Sequence, residues 1–145
     1  MGNQNHMDMG GLDLIVRSLR LASTPNQSGT EVISSDGDVT LGDDLTIAGT
    51  LTATSDTRTG AGAISLTTLH TNVVTTGADA LTLADGSAGQ IKMITMITDG
   101  GDGTLTPTNL TPGSTITFND AGDSVILIFT NSAWHILANQ GCTLA

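Results

Sequence analysis

Aromatic side chains are nearly missing from this chain: of 145 residues two are Phe, one is Trp and none is Tyr. Charged residues are scarce as well, at 12% of the sequence. Only Arg17, Arg20, Arg58 and Lys92 are basic, against fourteen acids and a net charge of −10. Aromatics normally supply large buried area and charges a solvated surface, so a chain poor in both is expected to associate with other copies. Thr, Ser, Ala and Gly pack closely in repetitive β-structure, and identical chains can bury one another's shallow apolar faces. The shortage of basic residues excludes nucleic acid as a partner, because a polyanion would be repelled and no basic stripe is interleaved with aromatics. The acidic excess is spread along the chain and serves solubility.

Other absences narrow the function further. Cys142 is the only cysteine, so no internal disulfide can form, and no positive neighbour besides His135 lies near it in sequence to activate the thiol. No run reaches the roughly 18 apolar residues of a membrane-spanning helix, so no membrane partner is expected. The N-terminal MGNQNHMDMGG lacks the basic and apolar regions of a signal peptide, and His6 stands where a myristoylation signal needs Ser or Thr. There is no nucleophile elbow and no phosphate loop. His70 and His135 have no second His or Cys at metal-ligand spacing, and His6 with its neighbouring methionines matches no usual ligand set. Asp36-Gly37-Asp38 and Asp99-Gly100-Gly101-Asp102-Gly103 invite a calcium reading, but no closing Glu follows at the required offset. Asp-Gly pairs are turn chemistry, since Gly reaches positive φ and Asp bonds its own backbone. No catalytic residue, metal ligand or cofactor is therefore expected, and the chain reads as no enzyme.

What remains is a β-protein in three parts. Residues 1–35 read as an N-terminal arm and attachment segment. Its polar first eleven residues are followed by Leu12 to Ala22, which fits a helical face through Leu12, Ile15, Val16 and Leu19 and fits a strand no better. Half of the basic residues sit there, making a candidate docking element for an acidic surface or, equally, a covering strand. Residues 36–62 read as a repetitive stalk and linker. Val39-Thr40-Leu41, Leu45-Thr46-Ile47 and Leu51-Thr52-Ala53 recur every six residues, with apolar first and third positions, Thr between them and Gly/Asp corners. This is the pattern of a β-helix or triple-stranded β-prism, which so few turns can stabilise only by stacking or by winding several chains together. Ser55 to Gly62 reads as the linker.

Residues 63–145 read as a small antiparallel β-domain centred on Gly89 to Leu137, which holds Phe118, Phe129 and Trp134. Ile91 to Thr98 and Ser124 to Thr130 are short, rich in Ile, Val, Phe and Met, and bounded by Gly, Asp and Asn clusters, the pattern of buried strands. Ser114 to Phe118 alternates, with Ile116 and Phe118 on one face, and Leu81 to Gly86 repeats the hexad once more. The expected fold is all-β and trimeric, with a β-helix or β-prism-like segment followed by the antiparallel domain.

Two of these stretches carry a resemblance. Asp36 to Ala53, DGDVTLGDDLTIAGTLTA, resembles the repetitive stalks of structural appendages of tailed bacteriophages. Val73 to Ala138 is similar to a β-domain of virion proteins of marine tailed phages. The resemblance implies a virion structural protein, commonly a homotrimer, without enzymatic activity, and it transfers no binding residues. At 145 residues the chain suits a capsid decoration protein, of the cement or head-fibre type, on the capsid surface. Its partners would be other copies of itself and the phage major capsid protein. Leu12, Leu14, Ile15, Arg17, Leu19 and Arg20 are the expected capsid-attachment residues, and Val39, Leu41, Leu45, Ile47 and Leu51 the expected trimer contacts. A short trimeric tail-fibre or tail-appendage protein is the first alternative. A carbohydrate-binding adhesin module is the second, for which Trp134 is the aromatic platform available.

Overall fold

The computed structural model describes residues 49–145. These residues are all-β, with no helix among them, and begin as a solenoid of about three turns. Each turn places one strand in each of two facing sheets. The first consists of β1 (Ser55–Thr59) and β2 (Gly62–Ala63), the second of β3 (His70–Val74) and β4 (Asp79–Leu83), and the third of β5 (Ile91–Thr98) and β6 (Gly103–Pro107). Odd strands stack in parallel as β1-β3-β5 and even strands as β2-β4-β6. The winding then stops, and β7 (Leu110–Thr111), β8 (Ile116–Phe118), β9 (Ser124–Thr130), β10 (Ala133–Gln140) and β11 (Thr143–Leu144) close the stack. β9 and β10 extend the first sheet antiparallel to β5, with β7 parallel to β10 at its edge, giving the order β1-β3-β5-β9-β10-β7. β8 and β11 extend the second antiparallel to β6, giving β11-β8-β6-β4-β2. We call these sheets A and B.

The core fills the space between the sheets. Val73, Ile94, Met96, Val125, Leu127, Phe129 and Trp134 of sheet A face Leu81, Leu83, Leu105, Ile116 and Phe118 of sheet B. Strand alternation selects these residues, because positions two apart share a face. Trp134 is fully buried, donates its indole N–H to the Ala84 carbonyl at 2.9 Å and meets Phe129 edge-on at 5.2 Å. Gly86 makes room for it, since a Cβ there would lie 2.8 Å from the indole Cζ2. The β9–β10 hairpin turns on Asn131 and Ser132, both at positive φ (49° and 60°), the backbone of a tight two-residue turn that follows the twist of the strands.

Several expectations meet the structure directly. Ile91–Thr98 and Ser124–Thr130 are strands with those bounds. Leu81 and Leu83 point inward with Thr82 outward between them, as the hexad pattern implied. The stretch read as a linker, Ser55 to Gly62, instead forms β1 and the start of β2. It has no apolar alternation, and its pairing comes from backbone bonds to β3 and from polar inward side chains. The solenoid among the described residues is also not wound on six-residue turns: Ser55 pairs with His70, and His70 with Met93. Of the hexads, residues 39–48 lie outside the described residues.

Candidate functional site

Three features of the described residues bear on function, beginning with a polar strut in the solenoid interior. Asp56 of β1 stands beside Thr71 of β3 in register. The Asp56 carboxylate accepts hydrogen bonds from the Thr71 hydroxyl at 2.5 Å and the Thr68 hydroxyl at 2.9 Å. Lys92 of β5 is completely buried, and its ammonium donates to the Thr68 carbonyl at 2.8 Å and to the Thr68 Oγ1 at 3.2 Å. A chain of hydrogen bonds therefore runs from ammonium through hydroxyl to carboxylate across all three turns of sheet A. Burial works to raise the carboxyl of Asp56, but the bonds from Thr71 and Thr68 and the charge of Lys92 outweigh it and hold the group below its ordinary value. Burial lowers Lys92, with the Asp56 charge opposing. Arg58, the other basic residue described, binds the carbonyls of Gly60 and Ala61 in its own turn.

The outer faces of the two sheets differ. Sheet B shows Thr82, Thr104, Thr106, Thr117 and Thr143, with Thr104 beside Thr117 and Thr117 beside Thr143 in register. Sheet A shows Ile91, Met93, Ile126, Ile128 and Leu137, bordered by neutral polar residues. His70 lies on that border, its ring 3.2 Å from both the Ser55 and the Thr95 hydroxyl and so bridging β1 to β5. His135 is half-buried beside Ile128 and Thr111, and its Nε2 is buried without a hydrogen-bond partner. The sequence pattern marked Ile91–Thr98 and Ser124–Thr130 as buried strands but did not reveal that the described residues cover only one face of them. The outward apolar residues were legible as Ile91 and Met93, on either side of Lys92, and as Ile126 and Ile128 within the run Val125 to Phe129.

The third feature is a depression of about 360 Å³ beside β7, lined by polar residues such as Thr108, Asn109 and Ser132 together with the apolar Pro107, Leu110 and Ala133. No aromatic ring lines it. Trp134, the platform expected for sugar binding, is fully buried, and Phe118 and Phe129 are buried with it. Cys142 is buried and donates its thiol to the Gln140 carbonyl at 3.8 Å; burial, with Asp123 nearby, pushes it up to about 12. Asp99 to Gly103 is a turn in which the Asp99 carboxylate accepts the Gly101 N–H at 2.8 Å. Among the described residues no three His, Cys, Asp or Glu gather as metal ligands would.

Of the residues singled out for binding, Leu12, Leu14, Ile15, Arg17, Leu19, Arg20, Val39, Leu41, Leu45 and Ile47 lie outside the described residues. Leu51 is 72% exposed and belongs to no strand. No protein-family model and no curated protein matches the chain.

Proposed function

We propose that the chain is a non-enzymatic structural protein of a tailed-phage virion, a homotrimeric capsid decoration protein held to the major capsid protein by its N-terminal arm. The observation that carries this reading is a division of charge. Of the four basic side chains, the folded body turns two away from partners: Lys92 is buried and Arg58 is occupied by its own turn. The body's acids remain in its turns, at Asp85, Asp99, Asp102 and Asp120 among others. Arg17 and Arg20 are thus the positive charges left for an acidic lattice, in a segment that is also rich in Leu and Ile. A wound stack ending in antiparallel strands also suits a short spike, and the resemblance of Asp36–Ala53 and Val73–Ala138 to phage virion proteins supplies the setting. Burial of all three aromatics weighs against the adhesin alternative, which relied on Trp134.

Co-sedimentation with bare capsids tests attachment. Deletion of residues 1–22 abolishes binding while the β-rich circular dichroism persists. Arg17→Glu with Arg20→Glu weakens binding, increasingly so with added salt, because exposed charges are screened over about 8 Å at physiological ionic strength. Truncated chains that decorate capsids at full occupancy would overturn the attachment, and labelling at the tail by cryo-electron microscopy would favour the tail-appendage alternative.

A further inference from the structure

β9 is apolar on both faces, and β5 carries Ile91 and Met93 on the face opposite its buried Lys92, Ile94 and Met96, yet the described residues cover only the inner face of either strand. The inward sides of β5 and β9 are buried, while Ile91, Met93, Ile126 and Ile128 point outward beside Leu137. A sheet with one solvated face alternates apolar with polar residues, as sheet B does with its threonines; strands apolar throughout belong to sheets covered on both sides. The outward residues are contiguous. Ile91 pairs with Ile128, which pairs with His135, and Met93 pairs with Ile126, which pairs with Ala138. Ile91 is 43% and Leu137 58% exposed. The unpartnered Nε2 of His135 lies within this same patch.

We infer that the outer face of sheet A is a contact surface between copies of this chain. The inference deepens the self-association in the reading above and rests on it, though not on the virion setting. Charge selects the occupant. Among the described residues no carboxylate or cationic side chain stands on this face, whose border is Asn72, Thr95, Ser124 and His70. A basic partner or an anionic membrane would find nothing to pair with there. Copies of a chain with net charge −10 repel one another least where their carboxylates are absent. An apolar centre with a neutral polar border is also how the core of a protein interface is composed. Six strands about 4.8 Å apart and about 20 Å long present roughly 600 Å² in projection, and more in accessible area, against about 800 Å² per partner in a standard interface.

Sedimentation velocity of the full chain tests this. The variant I91T/I126T/I128T copies the outer chemistry of sheet B with residues that favour strands. Leu137→Asp places a charge at the most exposed position of the patch without disturbing buried residues. Thr104→Ala with Thr117→Ala is the matching change on sheet B. The expected result is an oligomeric wild type, association weakened at least tenfold in both sheet A variants, and no change in the sheet B variant. Should both sheet A variants keep the wild-type mass, the copies are joined elsewhere and this inference falls while self-association stands. A monomeric wild type overturns both, including the case in which residues 1–48 of the same chain cover the face.

Discussion

In the solenoid turns, sheet A turns Asp56, Arg58 and Thr71 toward the interior, whereas the strands that close the stack turn Val125, Leu127, Phe129 and Trp134 inward. Lys92 stands between the two chemistries. Its stem lies beside Leu127 in register, and its ammonium reaches back to Thr68 and the Asp56 network. The difference teaches where each region gets its stability. In the closing strands it comes from the volume of a few large rings in a chain that has only three aromatics. In the turns the apolar packing of Val73, Ile94 and Met96 against Leu81, Leu83 and Leu105 is joined at the β1 end by a polar network that is favourable only when complete, because a buried charge costs free energy unless its partners are present.

The sharpest way to expose that difference is to shrink one ring. Phe118 of sheet B is fully buried, and Phe118→Ala is expected to cost about 3–5 kcal/mol through lost transfer energy and the cavity left behind. Urea unfolding followed by the fluorescence of Trp134 reads it directly. A loss below about 1 kcal/mol would mean that the closing strands do not depend on ring volume.

The strut should respond unequally to removal of its two ends. Asp56→Ala strips Lys92 of its counter-charge and leaves the Thr68 and Thr71 hydroxyls without their acceptor. An uncompensated buried charge costs about 3–5 kcal/mol, and the partial exposure of Asp56 reduces the expected loss to about 1–3 kcal/mol. Lys92→Met keeps the stem and removes the charge that had to be desolvated, so stability should change by less than about 1 kcal/mol in either direction. Equal losses for the two variants, measured by thermal and urea unfolding, would make the strut an ordinary ion pair and erase the contrast.

The closing strands were more legible in the sequence than the first turn, for a physical reason. Ile91–Thr98 and Ser124–Thr130 announce themselves by β-branched apolar runs ending in Gly, Asp or Asn, and Leu81-Thr82-Leu83 by simple alternation. Ser55–Thr59 carries no such signal. Its inward residues are Asp56, made tolerable by Thr68 and Thr71, which lie twelve and fifteen residues on, and by Lys92 further along, and Arg58, which is satisfied by the carbonyls of Gly60 and Ala61. Composition placed Lys92 among the charged groups, but its burial follows from the alternation of β5, in which it shares a face with Ile94 and Met96. For the candidate interface, the residue types were visible and the covered face was not. Which face of a doubly apolar strand the chain itself covers is decided by the winding, and single-strand periodicity contains no information about winding.

The smallest expected effect is the dependence of stability on pH, in which the two regions pull in opposite directions at alkaline pH: burial pushes Cys142 of the closing region up to about 12, so its contribution is fully present below its ordinary 9.0 and is lost as pH climbs toward 12. Asp56 has a folded-state value below its ordinary 3.8, so its contribution is fully present above the unfolded value and is lost as pH falls through the folded one. Lys92 is also lowered, from 10.5, chiefly by burial. For this base a lowered value means that the folded state binds its proton less readily than the unfolded chain does. Stability should therefore rise as pH climbs through the folded value and level off near 10.5; at neutral pH the cost of burying the charged Lys92 is fully present and independent of pH. Melting temperature against pH should show an acid loss that Asp56→Asn diminishes and, in a Cys142→Ala background that removes the opposing thiol, an alkaline rise that Lys92→Met removes. In Phe118→Ala both features should persist on a lowered curve. An alkaline rise that survived in Lys92→Met would assign it to another group and remove the strut as the pH-sensitive part of the fold.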